Sequence, residues 1–248
     1  MTGVEVKTWT DRLQSVLVEA GGPFDRVVVV PETTSTQDAA RRLDREPGTV
    51  VIACRQTAGR GRLGRVWADT GDEGLAASFV CVSAAPERLA VACAVAAARA
   101  AESLLGRPVG IKWPNDIVAE GRKLAGILIE QSGDRAVIGI GMNVLQTRWP
   151  PELAGRAVSL AQLGAPCARL VAAAALLRAM SETLPWADKR LDEEFSRRDV
   201  LVGTRAAFRC DRRTITGTVL KIDPRHGLLV RSDRQEIYLP AATTAVVG

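Results

Sequence analysis

Val109-Gly-Ile-Lys-Trp-Pro-Asn-Asp-Ile-Val-Ala-Glu-Gly-Arg-Lys-Leu-Ala-Gly-Ile-Leu-Ile-Glu-Gln-Ser-Gly-Asp-Arg-Ala-Val-Ile-Gly-Ile140 is a run of apolar segments cut by turn residues. Strands are expected over 109–113, 116–119, 123–131 and 136–140, with turns at Trp113-Pro114, Glu120-Gly121 and Ser132-Gly133. Connections this short, two of them carrying glycine, join antiparallel neighbours. Crossovers between parallel strands need a dozen or more residues, so this region is a meander.

Upstream, an amphipathic helix over 9–19 should stop at Gly21-Gly22-Pro23, with a buried strand over 26–30 beyond it. Ser35 or Thr36 then caps a helix running to about Leu43, with Asp38 in its first turn where the positive helix end favours a carboxylate. Strands over 49–54 and 75–82 flank a glycine–arginine loop at 58–65, and an alanine-rich helix over 87–105 ends at Gly106. Helices over 168–184 and 188–196 close this part. From Val200 onward the texture changes to short strands, over 205–209, 215–222, 228–231 and 236–239. About fifty residues of this kind read as a small SH3-like barrel. The expected class is α+β: a mixed, largely antiparallel sheet with flanking helices over 1–199, and a C-terminal β domain over 200–248.

Of the 248 residues, 47% are hydrophobic and 25% charged, the balance of a globular protein with a substantial core. The polar N-terminus carries no leader pattern, and the apolar helix over 89–105 contains Arg99 and Glu102. A cytoplasmic protein is therefore expected. Five scattered cysteines without a C-x-x-C pair argue against a disulfide framework or a thiolate zinc site. His226 is the only histidine, which excludes a His-ligated metal cluster. The net charge of +5 lies mostly in the tail: residues 1–199 hold 25 Lys+Arg against 24 Asp+Glu, residues 200–248 hold 8 against 4. Scattered arginines on a small domain fit a solvated face better than a DNA-reading surface.

Three segments carry chemistry. The first is Gln56-Thr-Ala-Gly-Arg-Gly-Arg-Leu-Gly-Arg65. Gly59-x-Gly61-x-x-Gly64 matches the dinucleotide fingerprint, but the next element is a strand where that fingerprint requires a helix. What remains is flexible backbone with Arg60, Arg62 and Arg65, whose forked donors suit a carboxylate and a phosphate. The arginines are expected to gain partners only when such an anion arrives. Lys112-Trp-Pro-Asn-Asp116 sets a lysine beside two oxygen donors, Asn115 and Asp116, suited to Mg²⁺. Taken alone it fits an ordinary turn with a salt bridge equally well. Lys123, at the head of Leu-Ala-Gly-Ile, can project into a narrow pocket or serve as a surface cation.

In this order, with Thr34-Ser-Thr-Gln37 upstream and Gly139-Ile-Gly-Met-Asn143 downstream, the segments resemble the biotin–protein ligases (biotin–[acetyl-CoA-carboxylase] ligases) over residues 33–143. The resemblance implies a class II synthetase-like, biotin–lipoate ligase fold and a C–N bond-forming ligase. Its substrates are biotin and ATP with Mg²⁺, and it passes through biotinyl-5'-AMP to a lysine of a biotin carboxyl carrier domain of acetyl-CoA or a related carboxylase. It implies catalytic roles for Lys123, Arg60 and Lys112. It implies biotin contacts by Ser35, Thr36, Gln37, Gln56, Arg60, Gly61, Arg62 and Lys123. ATP or adenylate contacts fall to Arg60, Arg62, Arg65, Trp67, Lys112, Asn115, Asp116 and Asn143, with Asn115 and Asp116 as the Mg²⁺ side. Gln37 stands where asparagine is more usual, and Leu63 where a basic residue is common.

Only 33 residues precede Thr34, below the roughly 50 of an independent domain, so a short form without an N-terminal winged helix and without sequence-specific DNA binding is expected. A lipoate or octanoyl ligase or transferase of the same fold is the nearest alternative, and a nucleic-acid-binding module built on the basic tail a more distant one. Cys54 reads as a buried small hydrophobe, not an acyl carrier. No membrane partner is expected, and monomer and homodimer stay open.

Overall fold

The computed structural model describes residues 3–43, 46–83, 85–211, 213–233 and 235–247. The outer limits of the expected ranges, Met1 and Gly248, lie outside them. Helix α1 (Gly3–Ala20) begins six residues earlier than its apolar pattern suggests, because only its later turns carry buried residues, Leu13 and Leu17. The first turns are held by backbone hydrogen bonds in solvent and leave no apolar stripe to read. Strand β1 (Arg26–Thr33), helix α2 (Thr36–Arg42) and strand β2 (Thr49–Gln56) form a βαβ unit whose two strands pair in parallel.

A two-residue ribbon follows, β3 (Gly59–Arg60) against β4 (Val66–Trp67), closed by a single 3₁₀ turn at Arg62–Gly64. Strand β5 (Gly74–Val82) leads to helix α3 (Pro86–Leu105). Proline in the first turn and Gly106 at φ 66° just past the last give this helix a defined start and stop. The meander is then β6 (Gly110–Lys112), β7 (Asp116–Ala119), β8 (Arg122–Ser132) and β9 (Arg135–Asn143), each pair antiparallel as expected. Helices α4 (Arg169–Thr183) and α5 (Asp188–Arg198) complete this part.

The seven strands run β1-β2-β5-β9-β8-β7-β6. Alternation along β2 decides what covers each face. Val50, Ile52 and Cys54 join the main core with α1, α3 and α4, whereas Val51 joins Val80, Val137 and the Ala39–Ala40 face of α2. Alanines let α3 lie close: Ala92, Ala94 and Ala96 to Ala98 are fully buried.

After α5, strands β10 (Arg205–Cys210), β11 (Arg213–Asp223), β12 (Gly227–Ser232), β13 (Gln235–Pro240) and β14 (Thr244–Val247) form an antiparallel sheet in the order β13-β12-β11-β10-β14. Strand β14 has no counterpart in the sequence reading. It is four residues long and owes its existence to pairing with β10, over thirty residues earlier. The junction is fixed: Val200 N–H donates to Ile111 O (3.2 Å), and the Asp199 carboxylate accepts from the N–H groups of Leu201 and Val202. No helix among the described residues is long and apolar enough to cross a membrane.

Candidate functional site

A cavity of about 700 Å³ opens between the meander, the β3–β4 ribbon and the C-terminal sheet. One end is a slot of neutral polar groups that hold one another. Ser35 caps α2, its Oγ accepting from Gln37 N–H (3.2 Å). Thr36 donates from both N–H (2.9 Å) and Oγ1 (3.2 Å) to Gln56 Oε1. Ser78 Oγ lies within hydrogen-bond reach of Thr36 Oγ1 (2.8 Å) and Gln37 Oε1 (3.1 Å). Gln37 Nε2 donates to Val137 O (3.3 Å) and Leu128 O (3.4 Å), spanning β8 and β9. Glycine at 139 makes room for this longer amide, since a Cβ there would sit 3.2 Å from Gln37 Cδ.

The middle of the cavity is organised around Lys123. Its backbone N–H donates to Arg156 O (2.8 Å), and its carbonyl accepts from Val158 N–H (2.9 Å). Asn143 Nδ2 donates to the same carbonyl and to Val158 O, both at 3.1 Å. Lys123 Nζ lies 2.6 Å from Asp116 Oδ1 and 5.5 Å from the Trp67 ring centre. That ring packs against Gly126 and Gly141, where added Cβ atoms would fall 3.1 Å and 2.5 Å from it. Neither glycine has positive φ. They are required by close approach, not by backbone conformation. Asn115 Nδ2 donates to Ile127 O (2.8 Å), which pins the Trp-Pro turn to β8, and Lys112 stands opposite Asp116 in the β6–β7 register.

The glycine–arginine loop corrects the sequence reading. Two of its arginines already have partners within the chain. Arg60 forms a fork onto Asp38 (2.7 and 2.9 Å) and reaches Glu130 (3.2 Å). Arg41 bonds to the same two carboxylates, at 3.1 and 2.9 Å. The Arg60 guanidinium beside Asp38 holds its carboxyl below the usual carboxylate range. Arg62 donates to Ala241 O in the C-terminal sheet (2.8 Å), and burial pulls its pKa down. Arg65 and Lys112 make no ion pair among the described residues.

Of the residues singled out in the sequence, Ser35, Thr36, Gln37, Gln56, Arg60, Gly61, Arg62, Arg65, Trp67, Lys112, Asn115, Asp116 and Lys123 all line this one cavity. Asn143 does not: it is 6% exposed and sits behind Lys123, holding its peptide. Cys54 is buried in the core, where desolvation raises its pKa. Sequence reading missed Glu130, Ser78 and Arg209, and it gave Asp38 only a helix-end role. Ser78 left one local signal, the only polar side chain of an otherwise apolar strand. Glu130 and Arg209 left none.

Chemically, the slot suits a neutral polar ring system with donors and acceptors. The remainder suits a polyanion, being lined by seven Lys or Arg side chains against Asp116 and Glu152. Among the described residues no cysteine or histidine lines the cavity.

Residues 28–144 match the family model described as the biotin/lipoate A/B protein ligase family. A biotin--[acetyl-CoA-carboxylase] ligase of Mycobacterium tuberculosis is 36% identical over 210 residues, 78% of each chain. The bifunctional ligase/repressor BirA of Bacillus spizizenii is 38% identical over 143 residues; the match spans 52% of this chain and 44% of that one. The solved structure of a biotin protein ligase from Aquifex aeolicus in complex with biotin and ATP superposes with a TM-score of 0.81 at 26% identity. That match covers 90% of this chain and 99% of the other.

Proposed function

Because the chain belongs to the biotin/lipoate A/B protein ligase family, we propose that it is an ATP-dependent biotin–protein ligase acting on a carboxylase's carrier domain. The observation that carries this is the meeting, at Lys123, of a neutral polar slot and a cation-lined cavity. In this reading biotin's ureido ring lies against Ser35, Thr36, Gln37 and Gln56, and its carboxylate reaches Lys123. A carboxylate oxygen attacks the α-phosphorus of ATP. The bond to the bridging oxygen breaks, pyrophosphate leaves, and biotinyl-5'-AMP remains. The acceptor lysine's neutral amine then attacks the acyl carbon; AMP departs, and the amine's proton is lost to solvent.

The first step brings anions together, so preorganised cations supply much of its acceleration. Lys123, Arg62 and Lys112 take that part. Arg60, saturated by Asp38 and Glu130, anchors Gly61 and the rest of the loop over the reactants. Trp67, packed on Gly126 and Gly141, forms a wall for the adenylate, and Asn143 keeps Lys123 in place. Among the described residues no three His, Cys, Asp or Glu side chains stand together as a metal cage. Asp116 and Asn115, whose side-chain oxygens are the hard donors a Mg²⁺ takes, would hold that ion beside Lys123, where it would offset phosphate charge. A free lysine has a pKa of about 10.4, and the positive potential of this cavity favours the neutral acceptor amine that attack needs. Residues 1–199 would hold both substrates, with residues 200–248 as a smaller unit closing the cavity.

Exchange of labelled pyrophosphate into ATP tests the reading. Exchange should require biotin, and labelled biotin should pass to a carrier domain's lysine. Exchange with lipoate or octanoate but not biotin would assign the chain to the other branch of the family.

A further inference from the structure

Beyond β9 the chain leaves the sheet at Val144, makes an arc and returns at Ser159. The returning leg is fixed by Val158 N–H on Lys123 O (2.9 Å) and Leu160 N–H on Asn143 O (3.2 Å). Glu152, Leu153, Gly155, Arg156 and Ala157 of this arc line the cavity. Strand β8 gives the arc its place. The arc pairs at Lys123, whereas Gln37 of the neutral slot bonds at Leu128, five residues along. At about 3.3 Å per residue that is roughly 16 Å, so the arc flanks the cation-lined end of the cavity and not the slot.

Gln146 sits where the two feet of the arc meet the segment that follows Trp67. It is 1% exposed and lies behind the cavity wall. Its Oε1 accepts from Val144 N–H (2.7 Å), and its Nε2 donates to Thr70 Oγ1 (2.9 Å). Its carbonyl accepts from Ser159 Oγ (2.5 Å), on the returning foot. Gly74 leaves room for the amide, since a Cβ there would fall 2.9 Å from Gln146 Nε2. Thr70 stands three residues past Trp67, and its segment is also held by Arg55, which bonds to Asp69 at 2.8 and 3.2 Å. One buried residue therefore joins the Trp67 segment to both feet of the arc. A buried amide left half-bonded costs more than a complete one gains, so the junction favours a single spacing.

We propose that Gln146 is a positioning residue for the nucleotide: through Thr70 and Ser159 it sets the gap between Trp67 and the arc, in which the nucleoside part of ATP is held. This rests on the ligase reading above. Gln146 touches neither substrate, and the slot around Thr36, Gln56 and Ser78 shares no bond with it.

The test compares wild type, Thr70→Val, Thr70→Ser and Gln146→Leu. Thr70 is half-buried, so its variants leave the core intact. In biotin-dependent pyrophosphate exchange Thr70→Val should raise KM for ATP about fivefold, the size of one neutral hydrogen bond. KM for biotin and the rate at saturating substrates should stay at wild-type values. Thr70→Ser, which keeps the hydroxyl, should restore the wild-type KM. Gln146→Leu should shift KM for ATP in the same direction, and adding Thr70→Val to it should change nothing further, because both act through one bond. Amide exchange gives a readout free of catalysis: Thr70→Val should lower protection over residues 153–157, across the junction from the substitution. Unchanged KM for ATP, an equal rise in KM for biotin, or unchanged protection over 153–157 overturns the proposal. Absence of pyrophosphate exchange in the wild type overturns the ligase reading instead, and amide exchange then still decides whether Gln146 couples the two walls.

Discussion

The two ends of the cavity are built on opposite principles. In the slot around Thr36, Gln37, Gln56 and Ser78, polar side chains are buried or nearly so and bonded to one another or to the sheet. At the mouth, Lys112, Arg65 and Arg209 keep their charges without counter-ions. A fixed hydrogen-bonding surface discriminates by shape, because a ligand that fails to match it leaves buried groups unpaired. Unpaired cations in water discriminate little but attract strongly, and their effect is screened by salt. Lys123 stands between the two ends, its backbone held by Arg156, Val158 and Asn143.

The comparison breaks most visibly at that lysine. Lys123→Ala should cut pyrophosphate exchange by about 10²–10³-fold at saturating biotin, the usual cost of removing one preorganised charge from a developing oxyanion. The fold should survive, since the side chain is not a core group. Wild-type exchange by a folded variant would show that the two ends do not meet there.

A smaller effect should separate the slot from the mouth. Thr36→Val removes the Oγ1 bonds to Gln56 and Ser78 but leaves the backbone bond to Gln56. Urea unfolding should show a loss of about 1 kcal/mol. KM for biotin should rise, and KM for ATP should stay as it was. A change in the ATP term of similar size would mean that the ends are not independent.

The smallest effect concerns the clamp that joins them. Arg60 holds the Asp38 carboxyl below 3.8, so the stability this pair contributes is fully present above about that pH and is lost as pH falls through the lowered value. Arg41 and Glu130 face the same carboxylate–guanidinium pair, at 3.1 Å from Asp38 and 3.2 Å from Arg60. Amide exchange over residues 58–65, corrected for intrinsic rate, should therefore show steady protection from pH 7 to 5. Asp38→Asn should lower that protection already at neutral pH. Equal protection in the two proteins would show that the loop is held by its ribbon and the Arg62 bond alone.

The sequence by itself determined what depends on neighbours in the chain. Alternation and glycine turns placed the meander, and Ser35 and Gly106 marked helix ends because caps act over three or four residues. The motif residues were legible for the same reason. Gly-Arg-Gly-Arg, Lys-Trp-Pro-Asn-Asp and Lys-Leu-Ala-Gly-Ile each concentrate one chemistry in a few positions, and of the candidate site residues all but Asn143 line one cavity. Tertiary structure decided how those residues are used. Arg60 looks free in the sequence because its carboxylates lie 22 and 70 residues away, and Arg62 meets a carbonyl 179 residues on. Asn143 turned from the cavity to Lys123's carbonyl, and Arg209 entered it from a sheet whose local pattern shows only a basic strand. A side chain's charge and size are properties of its own residue; whether that charge is spent or free depends on what the fold brings within 3 Å.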